Sequence, residues 1–135
     1  MTALLCCCAG VRADDDADVH SVIGDVANAL SAGDPADAMS GFSKKCPNYQ
    51  RLSEDFEALT DAYFVSNRVQ FSDEEVSATE ATVALHWDLA VTTKQTDFTK
   101  NRSADLTLKL VREGKHWRII EFGPIEIFDP QGLGN

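Results

Sequence analysis

The chain has 135 residues, 22 acidic and 12 basic, and a formal net charge of −10, which is enough for one domain and too little for two. So acidic a surface repels phosphate backbones and anionic headgroups, and with no Lys/Arg-rich stripe it argues against nucleic-acid binding. An apolar fraction of 44% is ordinary for a globular domain and excludes wholesale disorder.

The N-terminal run Met-Thr-Ala-Leu-Leu-Cys-Cys-Cys-Ala-Gly-Val is apolar but too short to span a bilayer. Val11-Arg12-Ala13 supplies a small-x-Ala pattern, and Asp14, Asp15 and Asp16 follow at once. This reads as a secretory signal peptide over residues 1–13, cleaved after Ala13, with an acidic linker over 14–17. The expected destination is the periplasm or the exterior. Two less favoured readings are a lipid-anchored protein and a cytoplasmic protein with a frayed N-terminus. Leu4-Leu5-Cys6 resembles part of a lipidation box, although Leu5 stands where a small residue belongs. No later segment is long and apolar enough for a membrane span. Of the four cysteines only Cys46 lies in the body of the chain, so no internal disulfide is expected there.

From Asp18 to Ala32 the apolar residues Val19, Val22, Ile23, Val26, Ala27 and Leu30 recur at helical spacing. Gly33 ends this helix. Asp34 and Pro35 provide an N-cap and a first helical residue for a short second helix to about Ser43. Pro47 and Asn48 open a third, whose stripe is Tyr49, Leu52, Phe56, Leu59 and Tyr63. Glu54, Asp55, Glu57 and Asp61 take its solvated side. After Tyr63 the period falls to two. Val65, Asn67, Val69 and Phe71 form one face of a strand, and Ser72 to Glu75 reads as a turn. Ala81, Val83, Leu85, Trp87, Leu89 and Val91 form the apolar face of a long strand. Lys94 to Arg102 reads as a polar loop, and Leu106, Leu108 and Leu110 mark another strand. Glu113-Gly114-Lys115 is a tight hairpin connection before a strand from Trp117 to Phe122. Gly123-Pro124 breaks or kinks that strand, Ile125 and Ile127 continue it, and 129–135 is a tail.

Helices followed by strands indicate an α+β fold over residues 18–128: three N-terminal helices on a curved, mostly antiparallel sheet of four to six strands. Ala32-Gly33-Asp34 entering a short second helix, the late long strand carrying Trp87, and Gly114-Lys115-His116-Trp117-Arg118-Ile119 before a final strand resemble the nuclear transport factor 2-like superfamily. In particular the chain resembles small, secreted bacterial members of unknown function. The resemblance implies a cone, a bent sheet wrapped around helices with a cavity between them. That superfamily includes ketosteroid isomerases, dehydratases, polyketide cyclases, epoxide hydrolases and non-enzymatic binding domains, so the fold does not choose a function. Isomerase-like members use a helix tyrosine with two carboxylic acids. Here the first helix has no Tyr and the long strand has no Asp on its apolar face, so no catalytic residue is carried over.

In such a cone Tyr49, Phe56, Tyr63, Trp87 and Trp117 either line a pocket for a small apolar molecule or simply fill the core. Glu121, two residues from Ile119 and four from Trp117, shares their face unless the strand register reverses; if internal, it is the one acid expected to be desolvated. His86 and Asp88 share the opposite face of the long strand, where an acid–base dyad or an interface between two copies is open to them. His20, His86 and His116 lack metal-ligand spacing, and Asp14 to Asp16 lack the glycine and terminal Glu of a calcium loop. No phosphate-cradling glycine loop or nucleophile elbow is present, and no metal or cofactor is expected. The reading that results is an exported, non-enzymatic domain binding a small apolar ligand or a protein partner, with homodimerisation through the outer sheet face. The alternative is a small cavity enzyme of isomerase, dehydratase or cyclase type.

Overall fold

A computed structural model describes residues 13–96 and 98–131. The order is α1 (Ala13–Ser31), α2 (Pro35–Met39), α3 (Tyr49–Ala62), β1 (Tyr63–Val76), β2 (Glu80–Thr93), β3 (Thr99–Glu113) and β4 (His116–Gly123), then a single 3-10 turn, Glu126–Phe128. The four strands pair antiparallel in the order β1-β2-β3-β4 and the sheet is open. The fold class is therefore α+β with three helices and four strands, the low end of the expected range.

The helix boundaries follow from local chemistry. Gly33 takes φ +78°, a conformation costly for any side chain, and so stops α1. The Asp34 carboxylate accepts from the Asp37 N–H at 3.0 Å and Pro35 opens α2. That helix ends at Met39, short of the expected Ser43, because the next residues pair with the sheet instead. Ser43 N–H donates to the Ile119 carbonyl at 2.8 Å and Ile119 N–H to the Gly41 carbonyl at 2.9 Å. Gly41 also lies close to α1, where a Cβ would sit 3.0 Å from a Val26 methyl. At its other end α1 begins at Ala13, so Asp15, Asp16 and Ala17, expected in a linker, are helical. The expected signal segment, 1–13, lies outside the described residues apart from Ala13, as do Cys6, Cys7 and Cys8 and the tail beyond Gln131.

One buried cluster joins both layers. Val19, Ile23, Val26 and Leu30 of α1 and Leu52, Phe56 and Leu59 of α3 meet the inward row Ala81, Val83, Leu85, Trp87, Leu89 and Val91 of β2, with Leu106, Leu108 and Leu110 of β3. Two one-residue bulges reset the alternation. At the first, Phe71 pairs with Leu85 and Asp73 with Ala84, so Ser72 is the extra residue. The segment read as a turn, Ser72 to Glu75, therefore stays in β1, its phase inverted so that Glu74 and Val76 face the helices. The true reversal is at Ser77 to Thr79, closed by Ser77 N–H donating to the Glu80 carbonyl at 2.8 Å. The second bulge lies on β4, where Lys109 pairs with Glu121 but Leu110 with Ile119, leaving Ile120 extra.

The segment read as a loop to Arg102 is shorter than expected. From Thr99 to Arg102 it pairs with β2, from Thr92 to Leu89. Arg102 then clasps the end of the chain. Its Nη1 donates to the carbonyls of Glu126 (3.0 Å), Ile127 (3.1 Å) and Asp129 (2.6 Å), and its Nη2 to that of Gln131 (2.7 Å). Ile125 and Ile127 accordingly do not continue β4. After a cis Gly123–Pro124 peptide the chain enters the 3-10 turn, which packs against α3 and β3.

Candidate functional site

The five aromatic candidates do not share one place. Phe56 and Trp87 lie in the interior, but as part of a ring cluster with three phenylalanines outside the candidate set: Phe42, Phe122 and Phe128. Trp87 lies edge-on to Phe128 at 5.3 Å and to Phe122 at 6.0 Å between centroids. Phe56 lies edge-on to Phe128 at 5.3 Å and to Phe42 at 6.1 Å. Phe42 and Phe122 are 5.2 Å apart, Phe122 and Phe128 5.6 Å. Edge-to-face contacts at these separations are the favoured geometry for quadrupolar rings. Phe128, delivered by the 3-10 turn, touches Phe56, Trp87 and Phe122 and is fully buried. The middle of the helix–sheet sandwich is thus occupied by the protein's own side chains.

One polar side chain is built into this interior. Asn67 of β1 accepts from the Trp87 indole N–H at 2.9 Å, while its own amide donates to the Ala27 carbonyl at 3.2 Å and to Ser31 Oγ at 3.1 Å. The Trp87 N–H would otherwise be a buried donor without an acceptor, and the same amide ties β1 to α1.

Tyr63 sits at the α3–β1 corner and is buried, whereas Tyr49 is half-buried at the start of α3, at the rim of the core. Trp117 belongs to a different group. The Arg112 guanidinium stacks over its ring at 4.9 Å and donates to the carboxylate of buried Asp15 on α1. Arg112 Nε also donates to the Ala78 carbonyl at 3.1 Å. Glu121 is exposed, because the extra residue Ile120 turns Phe122 inward in its place. An acid whose pKa burial raises is instead Asp55, expected among the solvated residues of α3. Its side chain is 13% exposed, Arg51 lies 3.8 Å away, and burial, with Asp129 nearby, pushes its carboxyl above the ordinary range. Cys46 is a free buried thiol whose pKa burial raises, which suits an inert side chain.

His86 and Asp88 lie on the outer face, as the alternation requires. His86 Nδ1 is 2.8 Å from Asp105 and its Nε2 3.1 Å from Asp88, while Ser103 Oγ donates to Asp88 at 2.5 Å. Both imidazole nitrogens face carboxylates, and a neutral ring has only one N–H to give, so the protonated ring is favoured. Hydrogen bonding to Asp105, with Asp88 adding to it, raises the His86 pKa; the Ser103 hydrogen bond, then His86, lowers that of Asp88. Ser103 gives its proton to Asp88 rather than to His86, so the arrangement activates no nucleophile. The raised His86 pKa means that its contribution to stability is present below the unfolded value of about 6.5 and is lost as pH rises through the folded value. An NMR titration of the His86 ring is expected to give a midpoint above about 6.5, moving down in Asp105→Asn. A midpoint unchanged by that substitution would contradict the assigned hydrogen bond.

Among the described residues no group of three His, Cys, Asp or Glu side chains is placed to hold a metal ion, and no helix is long and apolar enough to cross a membrane. No protein-family model matches the chain, and no curated protein sequence matches it. Solved structures do. A conserved protein from Planctomyces limnophilus superposes with a TM-score of 0.77 at 12% identity, covering 84% of this chain and 96% of that one. A nuclear transport factor 2-like superfamily protein from Salmonella enterica gives 0.64 at 10% identity, over 81% and 88% of the two chains. A ketosteroid isomerase-like protein from Erwinia carotovora gives 0.65 at 13% identity, over 82% and 95%. Identities this low compare folds, not activities.

Proposed function

On the nuclear transport factor 2-like fold that this chain adopts, we propose that it is an exported, non-enzymatic domain that works by binding, with a second copy of itself as the partner of its outer sheet face. The observation that carries this reading is the interlocked cluster of Phe42, Phe56, Trp87, Phe122 and Phe128. A cavity enzyme holds its substrate beside reacting groups in the space between helices and sheet. Here rings take that space, and the polar side chain touching them is a neutral amide already committed to Trp87 and α1. Binding is thereby left to the surface.

The outer face suits self-association. Ala84, Ala90 and Thr92 of β2 are half-buried on it, and Phe64, paired with Thr92, is 63% exposed. Beside them His86 is paired within the chain to both Asp88 and Asp105, which leaves the group with one excess negative charge. Light scattering on the purified domain is expected to give a dimer, and Ala90→Arg a folded monomer; a wild-type monomer at high micromolar concentration would sink this arrangement. Export is supported by the small-x-Ala pattern ending at Ala13, since cleavage there keeps Asp15 for its bond to Arg112. N-terminal sequencing of exported protein is expected to begin at Asp14, and an intact Met1 on cytoplasmic protein would contradict it.

A further inference from the structure

We propose that the groove between the α2–α3 connection and β4 binds a small carboxylate with an apolar body, the anionic head on Lys44, Lys45 and Arg118 and the body against Met39, Phe42 and Tyr49. The groove measures about 570 Å³, within the range of small-molecule sites. It opens outside the ring cluster, with Phe42 as the shared wall, and away from the outer sheet face, so this proposal goes beyond the binding reading above.

Its charge sets it apart. Across a chain of net charge −10, three cations here meet one carboxylate, that of Glu113. Glu113 is engaged by Ser43 Oγ, which donates to it at 2.7 Å. Among the described residues no hydrogen bond or ion pair of the structure engages the Lys44, Lys45 or Arg118 side chains. Lys44 and Lys45 are exposed and Arg118 half-buried. The floor is apolar: Met39 and Phe42 are buried members of the core, and Tyr49 packs against it with a phenol to offer. On the other side of Arg118, Asp18, Asp25 and Asp37 line a second groove with Lys115 and His116. Carboxylates are in excess there, whereas on the Lys44–Lys45 side three cations face the single carboxylate of Glu113, and that excess of cations points to where an anion would go.

The backbone makes the groove rigid. Ser43 N–H and the Gly41 carbonyl bind Ile119 on β4, one residue from Arg118, so both walls move together. A fixed apolar floor beside free ammonium and guanidinium groups rewards a ligand that presents both halves at once. A bare inorganic anion would gain from one half only.

Calorimetric titration of the full chain with decanoate, below its self-association concentration, is the test, run beside decan-1-ol and inorganic phosphate. Saturable decanoate binding at one site is expected, with phosphate and decanol at least about tenfold weaker. The triple substitution Lys44→Gln, Lys45→Gln, Arg118→Gln should weaken decanoate at least about tenfold at an unchanged melting temperature. The double Lys44→Gln, Lys45→Gln, on exposed positions, should weaken it by less and serves if the triple variant fails to fold. Absence of saturable binding, equal affinity in the charge variants, or phosphate binding as tightly as decanoate would each overturn the proposal. None of these results bears on the dimer.

Discussion

Replacing Phe128 by alanine is expected to cost about 3–5 kcal/mol of stability, measured by urea unfolding, the range for deleting a buried aromatic ring. The size of the effect comes from its position. Phe128 is fully buried and touches three other rings, Phe56, Trp87 and Phe122, at 5.3–5.6 Å. Its loss removes the plug that the 3-10 turn pushes into the helix–sheet interior. Surrounding rings held from three separate elements can collapse only in part, so a void should remain. An apolar void of that kind stays dry and accepts small hydrocarbons. The variant is therefore expected to gain thermal stability from added toluene, and the wild type to gain none. A cost below about 1 kcal/mol would mean that the turn is peripheral, contrary to the packing described.

Arg112→Ala is expected to cost about 3 kcal/mol, because it strands a buried carboxylate. Asp15 is 4% exposed and takes its charge-assisted hydrogen bond from Arg112. The same guanidinium caps the Trp117 ring and donates to the Ala78 carbonyl, closing the β1–β2 reversal against β3. Removing Asp15 together with Arg112 should cost less than the two single losses added, since no charge is then left unpaired. The pairing predicts a double-mutant cycle of Asp15→Asn and Arg112→Ala with a coupling of at least about 1 kcal/mol. Strict additivity would show that the two side chains do not depend on each other.

What the sequence made legible was rhythm. The change of period at Tyr63 coincides with the end of α3 and the start of β1, because side-chain periodicity reports which face is buried in either element. Trp87 and its β2 neighbours lie inside and His86 with Asp88 outside for the same reason. Periodicity loses its footing at a bulge, where one extra residue exchanges the two faces. Ser72 and Ile120 are such residues, and neither is a glycine that would mark the place. This is why Ser72 to Glu75 reads as a turn and why Glu121 reads as sharing a face with Trp117. Phe128 went unread because Ile125 and Ile127 alternate like a strand while the chain, clasped by Arg102, coils instead. Asp15 looks like a surface charge until Arg112 from a distant strand covers it, and Asp55 until burial and the nearby Asp129 raise its pKa. Asn67 was the detectable exception. A polar amide on an apolar strand face must find partners, and its register opposite Leu89, two residues from Trp87, puts an indole donor within reach.

The Trp87 indole N–H resonance, followed by NMR while a small apolar probe such as toluene is added to the wild-type protein, reads the occupied interior most directly. A resonance that stays put through saturation of the buffer with probe is the result a ring-filled centre demands. A saturable shift would place an open pocket beside Trp87 and return the fold to the cavity enzymes.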